Sequence, residues 1–191
     1  MTDPILLVNP EDIILCTEAN KFTQHTQHSK KLLHPHAKLD RGWFDVGPHC
    51  PRVQKNDWDG LLGPKFEALI EYKSIANHYN GVQNWRYSEF AGRIKNWAQR
   101  GQPIRELGTN FKDLDQWLEL REKEIDQLIN SISNGYTCST IYADNIGVNI
   151  GRKGDLLFNN CGHHRLSILK CLGVKEIPVI PVTVYHHLFE K

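Results

Sequence analysis

A chain of 191 residues with 23 Lys and Arg against 22 Asp and Glu carries a formal net charge of only +1. That length suits one domain that buries a core without disulfides, and the charge balance excludes a global pull toward nucleic acid or an anionic membrane. The five cysteines, Cys16, Cys50, Cys138, Cys161 and Cys171, are odd in number and lack CxxC spacing, which suits a reducing cytoplasm. Residues 1–9 hold an early acid, Asp3, and a short apolar run, and no uncharged apolar stretch reaches spanning length, so no targeting leader and no membrane segment is expected.

Residues 5–8 read as a short buried strand, and residues 9–12 (Asn-Pro-Glu-Asp) as a turn leading into Ile13-Ile14-Leu15. The next stretch, to about Gly63, is polar and irregular, with His25, His28, His34 and His36 and prolines at 35, 48 and 51. Trp43, Phe44 and Trp58 argue that it is ordered rather than a linker, since such side chains are costly to leave in water. From Pro64, a good first helical residue, Phe66, Leu69, Ile70 and Ile75 supply one apolar face before Asn80-Gly81 stops the run. Ser88 is placed to cap a second helix with Phe90, Ile94 and Trp97 in one stripe, ending near Gly101 and Pro103. A third helix follows from Leu114, Trp117, Leu118, Ile125, Leu128, Ile129 and Ile132 at helical spacing, closed by Asn134-Gly135. Its charged residues Glu119, Arg121, Glu122, Lys123 and Glu124 read as a solvated face without function. Trp85, Trp97 and Trp117 read as core rather than as a base-stacking platform.

After Gly135 the pattern turns to strands. Residues 146–150 and 156–158 flank a hairpin at residues 152–155, with Gly154 in its positive-φ position. A helix from His163 buries Leu166, Ile168, Leu169 and Leu172 and ends at Gly173. Residues 177–184 form a last strand whose two prolines place it at an edge or beside a bulge.

The passage from strand 156–158 through Asn159-Asn160-Cys161-Gly162 into His163-His164-Arg165 is the candidate site. Unpaired N–H groups and the positive dipole end at a helix N-terminus attract anions, and glycine admits a ligand close to the backbone. Two imidazoles and a guanidinium add donors suited to phosphate. Pairs such as His25/His28, His34/His36, His49/Cys50 and His186/His187 offer zinc-competent side chains, but their spacing matches no finger or catalytic signature, and residues 25–36 read better as a polar loop closing over a ligand.

The phrases Ser131-Ile132-Ser133-Asn134-Gly135, Gly162-His163-His164-Arg165, Leu172-Gly173 and Glu176-Ile177-Pro178-Val179, in that order, resemble the ParB/sulfiredoxin-like superfamily over about residues 125–184. Residues 8–14 resemble that family's first strand and turn. The resemblance implies an α/β (mixed α+β) domain spanning residues 1–191, a small sheet flanked by helices, with residues 16–112 as a lineage-specific, mainly helical insertion over a nucleotide cleft. It implies a nucleotide site built from Asn160, Cys161, Gly162, His163, His164 and Arg165, with ATP or ADP and Mg²⁺ as ligands.

The Gly-His-His-Arg phrase is similar to the free-serine-kinase branch, which reads Asp-Gly-His-His-Arg; here Cys161 stands where that Asp would be. That branch also implies a glutamate after the first strand and turn, and Glu18 lies there, either as a general base or as an ordinary surface carboxylate. The sulfiredoxin branch carries Gly-Cys-His-Arg, so Cys161 is offset by one residue and reads as a packed thiol. The DNA-partition branch adds a helix-turn-helix reader, for which residues 185–191 leave no room, so sequence-specific DNA binding is not expected. The expected activity is nucleotide-dependent phosphoryl transfer from ATP to a small hydroxyl compound, with Glu18, His163, His164 and Arg165 as catalytic candidates and no metal ligand assigned. A metal-dependent nuclease and a non-catalytic nucleotide sensor stay open as alternatives.

Overall fold

The computed structural model describes residues 5–17, 52–54, 57–60, 62–101, 104–106, 109–111, 113–139, 145–159 and 161–185. It is a mixed α/β fold. Among the described residues, nine strands and four α-helices follow in the order β1 (Leu6–Val8), β2 (Leu15–Thr17), β3 (Arg52–Gln54), β4 (Leu62–Lys65), α1 (Ile70–Tyr79), α2 (Glu89–Gln99), β5 (Ile104–Glu106), β6 (Thr109–Phe111), α3 (Leu114–Ser133), β7 (Gly147–Ile150), β8 (Leu156–Phe158), α4 (His163–Cys171) and β9 (Ile177–Tyr185). The main sheet has seven strands in the order β1-β9-β7-β8-β2-β4, and β3 adds to β9; β5 and β6 form a separate hairpin.

Strand alternation divides the sheet into two faces. Cys16, Val148, Phe158, Ile177 and Val179 join a core with Phe66, Ile75, Trp85 and Leu169 of the helical layer. Leu15, Leu157 and Tyr185 cluster on the other side. That second face also carries a row of polar residues. Asn149 Nδ2 donates to Thr17 Oγ1 at 2.9 Å, and Asn159 Nδ2 donates to Asn149 Oδ1 at 3.1 Å, all three residues being buried.

Residues expected to form an insertion are woven into this domain. β2 and β4 are sheet strands, and Phe66, Ile75 and Trp85 are completely buried in the core. Pro64 does not start a helix. It lies in β4, the outer strand of the sheet, where a missing N–H costs no ladder bond; a 3₁₀ turn at Phe66–Ala68 intervenes before α1. The second helix is capped by Ser88 Oγ accepting from Ala91 N–H at 3.2 Å. Its packed row is Phe90, Ile94 and Ala98, spaced by four, and this leaves Trp97 51% exposed at the rim instead of in the core. The hairpin β5–β6 has no counterpart in the sequence reading, because neither an Asn-Gly nor an Asp-Gly turn marks it.

β9 is interior, not an edge. It pairs with β7 on one side and with β1 and β3 on the other. Its prolines are accommodated in two ways. The β7–β9 register slips between Val148 and Asn149, opposite Pro181, and β1 pairs only residues 177–179 while β3 pairs only residues 183–185.

Candidate functional site

The turn between β8 and α4 is held from beneath by backbone. Asn159 N–H donates to Gly147 O at 3.0 Å and Gly147 N–H to Cys161 O at 3.2 Å. The Cys161 thiol, buried to 5% exposure, donates to Asn145 O at 3.3 Å, so its sulfur is spent on closing the turn. Gly162 follows at φ 86°, ψ 29°, in the left-handed region. A Cβ there would lie 2.7 Å from Asn145 O, so glycine is required by the chain's own backbone, a different reason from the close ligand approach expected.

Among the described residues no side chain caps α4, and its first internal bond runs from Leu166 N–H to Gly162 O at 2.9 Å. The N–H groups of the first turn therefore face out of the helix end, where the dipole is positive.

The two histidines that open α4 are half-buried and rest against aromatic rings. His163 meets Phe158 edge to face with centroids 4.7 Å apart, and His164 meets Phe90 at 6.1 Å. Burial pushes the His163 imidazole below its ordinary range, with Glu71 opposing and Arg93 adding to the shift. Burial, then the charges of Arg121, His163 and Arg165, push His164 down to about 3. Both rings are consequently neutral at pH 7, while the guanidinium of Arg165 supplies the positive charge of the motif.

Three helices of the upstream layer reach this point, a convergence that the sequence analysis missed. Glu71 of α1 pairs with Arg93 of α2 at 2.7 Å, and Arg93 lies 4.9 Å over the Phe90 ring. Arg121 of α3 approaches Nδ1 of His164 at 3.1 Å. A signal existed for Phe90 and Arg93, three apart on one helix. None existed for Arg121, which sits in a run of alternating charge.

Glu18 and Asn160 lie outside the described residues, as do the histidines 25–36, His49, Cys50, His186 and His187. Asn159 is buried with its amide committed to Asn149. Asp155 stands before β8 at its far end, roughly 13 Å of extended chain from the turn. Among the described residues no group of three or more His, Cys, Asp and Glu side chains is arranged to hold a metal ion. The donors at the turn are imidazole, guanidinium and backbone N–H, which fit an anion and do not fit Mg²⁺.

A cavity of about 520 Å³ opens at the opposite end of β2 and β8, lined by Asp12, Ile14, Leu62, Arg152, Lys153 and Asp155 among others. Beside it Arg152 grips Asp59 in a fork, Nε to Oδ2 at 2.8 Å and Nη2 to Oδ1 at 2.7 Å, and these bonds hold the Asp59 carboxyl below its usual range. The cavity is separate from the α4 turn.

Comparison with protein family models, with curated proteins and with solved structures finds no match. No helix among the described residues is long and apolar enough to cross a membrane.

Proposed function

We propose that the turn entering α4 binds the phosphates of a nucleotide, ATP or ADP, and that the protein carries out phosphoryl transfer from ATP to a small hydroxyl compound as a ParB/sulfiredoxin-like enzyme. The observation that carries this reading is the uncapped start of α4 at Gly162, where first-turn N–H groups, two neutral imidazoles and Arg165 gather at one place. Such a set offers donors to phosphate oxygens, and the carboxylate that reaches it, Glu71, is paired with Arg93. Arg165 would neutralise charge on the transferred group, and His163 and His164 would donate to its oxygens as uncharged groups. Mg²⁺ would arrive on the nucleotide's own phosphates, and Glu18 remains the proposed base for the acceptor hydroxyl.

A second reading is favoured by one feature. Cys161 replaces the acid of the kinase branch, and its thiol is tied to Asn145 O, so no carboxylate stands at that position. A nucleotide sensor without turnover would need none.

The deciding experiment is a thermal-shift panel of ATP, ADP, CTP and GTP with and without Mg²⁺, followed by product analysis with serine and other small hydroxyl compounds. A ligand at a hundred times its dissociation constant stabilises the native state by about 2.7 kcal/mol. Arg165→Ala should abolish the ATP-dependent shift. A shift that survives this substitution removes the phosphate assignment. Binding without product formation selects the sensor, and phosphorylated acceptor selects the transferase.

A further inference from the structure

Arg121, like Glu122 beside it, departs from the solvated charged face of α3. Its side chain is 16% exposed, whereas that of Glu124, which it bonds through Nη1 at 2.9 Å, is 52% exposed. The other terminal nitrogen, Nη2, lies 3.1 Å from Nδ1 of His164, a residue 43 positions later in the chain. A guanidinium has donors only and keeps its proton throughout the accessible pH range. Nδ1 must therefore be the acceptor, and the single proton of the neutral ring sits on Nε2. Nε2 makes no hydrogen bond within the described residues.

The surroundings agree with a ring that never becomes charged. α3 contributes Arg121, α4 contributes His163 and Arg165, and α2 presents the uncharged Phe90 with Arg93 stacked on it. The carboxylate of α1, Glu71, is paired with Arg93 and bears on His163 rather than on His164.

We propose that Arg121 is a positioning residue of the α4 turn: by donating to Nδ1 of His164 it fixes the Nε2–H tautomer, so that His164 offers a bound group one hydrogen-bond donor and no acceptor. What that donor serves rests on the phosphate reading given above, but the tautomer is a property of the protein alone. The alternative tautomer would turn a lone pair toward an anionic oxygen, and a protonated ring would bind with an affinity that changes over pH 5–8. Fixing the proton on Nε2 keeps the turn selective for acceptor-rich, negatively charged groups at any physiological pH.

Two-bond ¹H–¹⁵N correlation spectra of the full-length protein labelled at histidine report the tautomer directly, with His164→Asn supplying the assignment. His164 should show the neutral Nε2–H pattern from pH 8 to pH 5. In Arg121→Gln the ring should populate both tautomers or titrate in that window, and Arg121→Lys, which retains a cationic donor, should restore the wild-type pattern in part. Affinity for ATP, measured by calorimetry, should fall about tenfold in Arg121→Gln, the worth of one hydrogen bond to a charged group, and should become pH-dependent. An Nδ1–H pattern in the wild-type protein, or a wild-type His164 that titrates near 6.5, overturns the inference even if the variants do not fold. A fixed Nε2–H tautomer in a protein that binds no nucleotide upholds the role of Arg121 and defeats the phosphate reading instead.

Discussion

Gly162 and Gly154 share nearly the same left-handed backbone, φ 86° and φ 85°, but differ in what surrounds them. Nothing lies within 4 Å of a Cβ built on Gly154, whereas one on Gly162 would strike Asn145 O at 2.7 Å and the Ile146 backbone at 3.0 Å. Gly154→Ala should therefore show the conformational penalty alone, about 1 kcal/mol. Gly162→Ala should add a backbone clash and cost about 3 kcal/mol or more. Urea denaturation of the two variants reads the difference, and equal losses would mean that the turn can relax away from Asn145. A sequence shows that a glycine precedes two histidines. It cannot show that the obstacle beside it is the chain's own carbonyl, because residues 145 and 162 meet only through the β7–β8 pairing. The same limit applies to His164, whose proton is placed by an arginine on a different helix.

At the level of elements, α4 is anchored near its far end by Lys170. Its side chain is 2% exposed, with Nζ 2.7 Å from Glu67 Oε1 and 3.5 Å from Glu11 Oε2, and the Phe66 ring lies 5.9 Å from the ammonium. A buried ammonium that loses its nearer carboxylate keeps its desolvation cost. Glu67 is 39% exposed, which moderates the loss, so we expect Glu67→Gln to cost about 1–3 kcal/mol. Glu11→Gln, which acts over a longer distance and at a more exposed position, should cost less, and equilibrium unfolding of both variants tests that order. Elements with an internal period were legible. α3 and α4 declare themselves through apolar residues three and four apart, and the β7–β8 hairpin through Gly154. Those defined by distant partners were not. Pro64 looks like a helix start until β2 is seen beside it, and the prolines of β9 leave an edge and a bulge equally open until the register slip at Val148 decides for the bulge.

Over the whole molecule, the neutral histidines tie stability to pH. An imidazole held below its ordinary 6.5 in the native state stays unprotonated there while the unfolded chain takes up a proton. Stability is then complete above about 6.5 and declines as the pH falls below it, the His164 share continuing down to about 3. Each such ring contributes a slope of at most about 1.4 kcal/mol per pH unit. Urea midpoints at pH 7 and pH 5 should differ accordingly, and His164→Asn should flatten the dependence; an unchanged slope would place that ring in water. The Asp59 carboxyl, held low by Arg152, titrates below its ordinary 3.8 and leaves the interval from 5 to 7 to the histidines. The site as a whole was legible only in its local half. The run from Gly162 to Arg165 can be found by reading along the chain, but Glu71, Phe90, Arg93 and Arg121 reach it from three other helices.

β9 also decides when this protein can assemble. Its neighbours begin at residues 6, 52 and 147, yet it is itself translated after all of them, so three strands wait beside the ribosome for one latecomer. Pairings that join sequence-distant segments are slow to form, because a long loop must close before they yield any stabilisation. A nascent chain interrupted before residue 177 leaves β1 and β3 without a ladder and one side of β7 open, the kind of unpaired border at which chains stick to one another. A frameshift just before residue 177 should thus be as damaging as one before β1.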